Sequence, residues 1–157
     1  MFPFGHGLSY SPVRYETLAT ITVEVPTTGS VQARIVVHNT GYRAVEEVVQ
    51  LYASDPVAQV VRPSVNLVGF ARVALEPGQA RLVIFDVPTD ALSFTGVDGR
   101  RVVEPGRIAL STGPSAGHLP LRTEVWLVGG PAHPGHDRRL TTTHVTRDVE
   151  ACALDDV

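Results

Sequence analysis

The chain has no lysine at all. Its thirteen basic residues are all arginine, and they are scattered singly among sixteen acidic residues for a net charge of −3. Nucleic-acid binding requires clustered positive charge, so that class is excluded as an expectation. There is one cysteine, Cys152. A lone cysteine can form neither an internal disulfide nor a cysteine-only metal site. No apolar run approaches the ~20 residues of a membrane helix. The first residues lack a basic stretch followed by an apolar one, so no export leader is expected and the default location is cytoplasmic. Aromatic residues are few, at 6%. A sugar-binding face built from a row of rings therefore has little to draw on.

What the chain does have is alternation. Val31, Ala33, Ile35 and Val37 fall on one face, and Gln32, Arg34 and His38 on the other. That period of two belongs to a strand buried on one side. Asn39 and Gly41 follow as residues that tolerate positive φ, and so predict a chain reversal. Ile21, Val23 and Val25 alternate with Thr20, Thr22 and Glu24 up to Pro26, which predicts a strand beginning near Leu18. Val49, Leu51 and Ala53 share a face, with Val48 and Tyr52 opposite. Leu67–Leu75 alternates imperfectly, with Phe70 and Val73 out of phase, as at a bulge or a sheet edge. Glu76-Pro77-Gly78 and Glu104-Pro105-Gly106 both read as type II turns. Strands follow each, carrying Val83, Phe85 and Val87 and then Ile108 and Leu110. Asp98-Gly99 signals a hairpin after Leu92-Ser93-Phe94, with Arg101–Val103 returning. Leu119, Leu121, Thr123, Val125 and Leu127 alternate along the last clear strand, and Trp126 points the other way. Twelve prolines, fourteen glycines and 43% hydrophobic residues complete the picture of short strands and many turns around a real core. The expected fold is an all-β, immunoglobulin-like antiparallel sandwich of seven or more strands. The expected divisions are 1–13 as a docking segment, 14–128 as the sandwich, and 129–157 as loop, a further weak strand over 140–146 and a flexible tail.

Candidate chemistry is sparse. Glycoside hydrolysis needs two carboxyl groups held about 5–10 Å apart across a sugar. The adjacent Glu46 and Glu47 point to opposite sides of a strand and read as a solvated lead-in. Glu76, Glu104 and Asp98 read as turn residues. His133-Pro-Gly-His136 has a chelating spacing but no partner of recognised spacing, so no metal is expected. No cofactor is expected either. Ser9 and Ser111 lack a nucleophile-elbow context. His38 reads as exposed on the polar face. Phe2, Phe4, His6, Leu8 and Tyr10 are different. They crowd a Pro- and Gly-rich segment that cannot be a helix and is too apolar for a free leader. They are the expected contacts to a partner, and are expected either to dock on their own sandwich or to pair chains. Tyr52 and Trp126 are the weaker candidates for contact with a sugar.

Phe2-Pro-Phe-Gly-His-Gly-Leu-Ser-Tyr10 resembles the motif that introduces the C-terminal fibronectin type III-like domain of family 3 glycoside hydrolases. The similarity continues through Asn39-Thr-Gly41, Glu47–Tyr52, Asp55-Pro56, Arg62-Pro63, Leu67–Phe70, Leu75–Gly78, Leu92–Phe94, Glu104–Gly106 and the final strand. It covers residues 2–128 and departs at Ala44 and at Arg101, where Gly and an aromatic residue are common. The resemblance implies β-glucosidase or β-xylosidase relatives that use an Asp nucleophile and usually a Glu acid/base. Those groups lie on domains preceding this one, so it implies no catalytic residue in this sequence. The function it implies is an accessory module that stabilises or pairs glycosidase catalytic domains. A free-standing carbohydrate- or cell-wall-binding module is the alternative. Partners are then glycosidase domains or a second copy, and carbohydrate as a candidate ligand.

Overall fold

The computed structural model describes residues 1–55 and 64–149. Pro56, Arg62-Pro63 and Cys152 from the sequence reading lie outside them. The described residues form β1 (Val13–Thr20), β2 (Glu24–Pro26), β3 (Ser30–Asn39), β4 (Val45–Ser54), β5 (Asn66–Leu75) and β6 (Ala80–Pro88). A 3-10 turn over Thr89–Leu92 follows, then β7 (Phe94–Thr95), β8 (Arg101–Val102), β9 (Gly106–Gly113), β10 (Leu121–Val128) and β11 (Thr143–Val149). One sheet has the order β1-β3-β6-β11 and the other β2-β10-β9-β4-β5, with β7 and β8 as a separate small hairpin. Among the described residues no helix is long and apolar enough to cross a membrane.

The two sheets stack because their alternating faces need each other. Val31, Ala33, Ile35 and Val37 of β3 and Val83, Phe85 and Val87 of β6 are buried from one side. Val49 and Leu51 of β4, Ala71, Val73 and Leu75 of β5, Leu110 of β9 and Val125 of β10 meet them from the other. Each such side chain contributes about 1.5–3 kcal/mol by leaving water.

The structure corrects several expectations. The first strand is not continuous from Leu18 to Val25. The chain pairs with β3 up to Thr20, leaves that sheet with Ile21 and Val23 exposed, and then joins the other as β2. A sheet switch of this kind breaks the alternation, because Val25 faces the core from the opposite sheet. Gly78 does sit in its turn, with φ of +73° and Gln79 N–H bonded to the Glu76 carbonyl at 3.0 Å. Gly106 has φ of +152° and opens β9 directly, so the second Glu-Pro-Gly does not repeat the first. The strand count agrees with the expected seven or more, and Thr143–Val149 forms a seven-residue strand on the β6 edge, a little beyond the 140–146 read from the sequence. Thr142 also donates to the Val68 carbonyl. That carbonyl lies at the register shift between β4 and β5, where the ladder is interrupted. β5 is an edge strand with this bulge, but the bulge sits at Val68 and not at Phe70 or Val73: beyond it Ala71, Val73 and Leu75 are buried in phase and Phe70 is exposed.

Candidate docking site

The sequence Phe2–Pro12 contains almost nothing that can enter a sheet ladder, so its backbone must be held by other means. Gly5 has φ of +77°, and the His6 N–H closes a tight turn on the Pro3 carbonyl at 3.1 Å. The Phe4 carbonyl accepts from the Ala116 N–H at 2.9 Å. Gly5 lies directly on the Gln50 side chain, where an added Cβ would come within 2.2 Å of Oε1. Gln50 in turn accepts from the Tyr52 hydroxyl at 2.5 Å and donates to the Pro114 carbonyl at 3.3 Å. Gln50 and Tyr52 point away from the core yet are buried, Tyr52 to 2% exposure. Tyr52 therefore offers no ring face to a sugar.

The far end of the segment is pinned by Asn39. Its side chain makes five hydrogen bonds. Oδ1 accepts from the Ser11 hydroxyl at 2.8 Å and from the Gly41 N–H at 3.0 Å. Nδ2 donates to the carbonyls of Arg43, Leu75 and Glu76 at 2.8, 3.1 and 3.2 Å. Neither Asn39 nor Gly41 has positive φ. The turn is made by the Asn39 side chain, and Gly41 is small because Ser11 Oγ would lie 2.1 Å from a Cβ there. Thr40 adds a backbone bond to the Pro12 carbonyl at 3.0 Å.

The backbone is thus docked, but its apolar side chains are not. Leu8 is 93% and Tyr10 92% exposed, and Phe2 and Phe4 also face solvent. Phe2 stacks on the His6 ring at 4.7 Å. Phe70, across the ladder from Gln50, is exposed on the same outer face. Of the sequence candidates, Phe2 and His6 are brought together. Trp126 lies on β10 in the same sheet, with its neighbours on β2 and β9, and is half-exposed.

Sequence reasoning missed Glu47. It is not solvated: it is buried between the sheets, with Oε1 accepting from the Tyr15 hydroxyl at 2.7 Å. A signal was present, since Glu47 is in phase with Val49, Leu51 and Ala53. Glu46 is exposed and pairs with Arg72 at 3.4 Å. His38 is likewise not simply exposed; its Nδ1 meets Glu16 at 3.0 Å and it is half-buried. His133 Nδ1 lies 3.0 Å from the Arg101 carbonyl. Among the described residues no group of three His, Cys, Asp or Glu is placed to hold a metal.

Burial pushes the Glu47 carboxyl above its usual range, against the opposing hydrogen bonds from Tyr15 and Ser9. Burial, with the neighbouring Glu47, pushes the Tyr15 hydroxyl far up, so it remains a donor. A raised carboxyl pKa means that the folded state holds this proton more tightly than the unfolded chain. Stability contributed by this group is therefore greatest in acid and falls as pH rises through the folded pKa. Thermal melts are expected to show Glu47→Gln gaining on the wild type as pH rises from the ordinary carboxylate range toward neutrality. A constant difference between the two proteins over that span contradicts the assignment.

The profile of the fibronectin type III-like domain matches residues 47–116. A β-xylosidase of Formosa agariphila is 37% identical over 123 residues, covering 78% of this chain and 17% of that protein. The periplasmic β-glucosidase of Salmonella typhimurium is 35% identical over 116 residues, covering 72% and 15%. The crystal structure of a β-glucosidase from Listeria innocua in complex with glucose superposes with a TM-score of 0.76 at 30% identity, covering 82% of this chain and 18% of that one. The chain therefore spans less than a fifth of the length of these relatives. Sequence, topology and superposition agree: residues 47–116 are a fibronectin type III-like domain, and the chain is similar over most of its length to the matching part of family 3 β-glucosidases and β-xylosidases.

Proposed function

We propose that this chain works as a non-catalytic accessory module, stabilising or pairing glycosidase catalytic domains through residues 2–10. The observation that carries this reading is the docking segment itself. Its backbone is fixed at Phe4, Gly5, Ser11 and Pro12, while Leu8 and Tyr10 stand almost fully in water. Holding apolar groups outward has no use in an isolated sandwich, because their burial is the main favourable term in association. Pre-fixing the backbone lowers the ordering cost of binding a partner.

The chemistry available in the chain supports the same reading. Among the described residues Glu47 is the only buried acid, and it is engaged by Tyr15 between the sheets rather than facing a second carboxyl across a cleft. Purified chain is expected to release p-nitrophenol from aryl β-glucosides and β-xylosides no faster than buffer. Turnover that co-purifies with the chain and is lost in Glu47→Gln refutes the accessory role.

A further inference from the structure

The outer face of the five-stranded sheet is divided. Pro3–Gly5 and the chain around Pro114 close over Gln50 on β4. The half formed by β2, β10 and β9 is left open, with Trp126 at its centre and 48% exposed. In register, Trp126 lies between Glu24 on β2 and Arg107 on β9. Glu124, two residues along β10 and on the same face, pairs with Arg107 at 3.3 Å and with Arg122 at 3.7 Å.

We propose that the Trp126 indole is a stacking platform for a neutral glycan chain lying across β2, β10 and β9. An indole presents a broad apolar face, which matches the C–H face of a pyranose ring. Glu24 and Arg107 flank it, and Glu124 and then Arg122 follow along the same face, so the surround mixes donor and acceptor side chains and carries no net charge. Sugar hydroxyls both donate and accept, and a neutral polyol meets such a border without an unpaired charge. A polyanion or polycation meets repulsion from half of it. The face is flat rather than enclosed, which suits a polymer segment held weakly and not a small ligand engulfed in a cavity. This inference uses a different surface from the docking segment and does not depend on it.

Trp126 is the only tryptophan in the sequence, so intrinsic fluorescence reports on this site alone. Titration of the chain with xylohexaose and with cellohexaose is expected to give a saturable change in that emission in the millimolar range for at least one of them. Affinity electrophoresis in xylan and mixed-linkage β-glucan gels is expected to retard the wild type, and Trp126→Ala is expected to bind about tenfold more weakly. Glu24→Ala, at an exposed position, provides a second variant that keeps the indole, and it is expected to weaken retardation by a smaller factor. No emission change with either oligosaccharide, or equal retardation of wild type and Trp126→Ala, overturns the proposal. So does an emission change that follows protein concentration without sugar, which marks a contact between copies. So too does a change seen only with polygalacturonate and abolished by salt.

Discussion

Asn39→Ala is expected to lower the unfolding free energy by about 4 kcal/mol, among the largest losses available in this chain. The residue is fully buried, and its amide is a hub between three separate stretches of chain. Truncation leaves the Leu75 carbonyl, the Gly41 N–H and the Ser11 hydroxyl without the Asn39 amide, in places where water reaches poorly, while the Glu76 carbonyl keeps the Gln79 N–H. Each such orphan costs about 1–3 kcal/mol, and the sum is less than additive because the turn relaxes. The thermal midpoint should fall by about 10 °C. Asn39→Asp keeps the acceptor oxygen but replaces the donor by a second oxygen aimed at three carbonyls. It is therefore expected to be no better than Ala near neutral pH. Because Ser11 hangs from this hub, proteolysis between residues 5 and 11 should also accelerate in both variants. Urea unfolding followed by far-UV circular dichroism measures the first effect. A change under about 1 kcal/mol contradicts the hub.

Phe85→Ala is expected to cost a further large amount, about 3–5 kcal/mol. Phe85 is the largest of the fully buried side chains. Its ring fills the space left by Gly69, where an added Cβ would lie 3.1 Å from Cδ1, and it sits 6.0 Å from the His144 ring of β11. Truncation therefore removes the transfer energy of a benzyl group and also opens a cavity between β5, β6 and β11. Phe85→Leu retains most of that volume and should cost less than about 1.5 kcal/mol. If the two variants unfold at the same denaturant concentration, the ring is not packed as described. The complementary change, Gly69→Ala, pushes against the same ring and against Thr142, and it should be destabilising for the opposite reason, overpacking.

Much of this architecture is legible in the chain, and the gaps have physical causes. The alternation of Val31–Val37 and of Val83–Val87 is legible because each strand stays in one sheet with one face turned to the core; Val36, buried on the opposite face, is the exception. The stretch from Leu18 to Val25 misleads because its hydrophobic residues belong to two sheets and the chain crosses between them. By residue type Glu47 reads as a surface acid and Asn39 as a backbone turn former, whereas Glu47 is buried and Asn39 makes its turn through a buried side chain. Their phase with the neighbouring valines pointed inward all along. Both escape the usual rule for polar residues because a specific partner satisfies each of them. At the docking segment the composition announces an interface, with its unpartnered Phe, Leu and Tyr. It does not announce that the backbone is tied down while the side chains stay out, since that depends on Gln50, Ala116 and Asn39, all distant in sequence. Tyr52 illustrates the converse. An aromatic on the outward face of a strand is open to solvent only if nothing folds over it, and here Gln50 beside it is covered by Gly5.

The most direct test places this chain back on a glycosidase. In the Formosa agariphila β-xylosidase, the region matching this chain is replaced by this chain, either wild type or carrying Leu8→Ser and Tyr10→Ser. Both side chains are exposed in the isolated chain, so the double variant should fold normally on its own. The half-life of xylosidase activity during heating is then compared. The docking account predicts that the wild-type chimera holds its activity and that the double variant loses it several-fold faster. Equal half-lives for the two chimeras, with the double variant shown to be folded, contradict it.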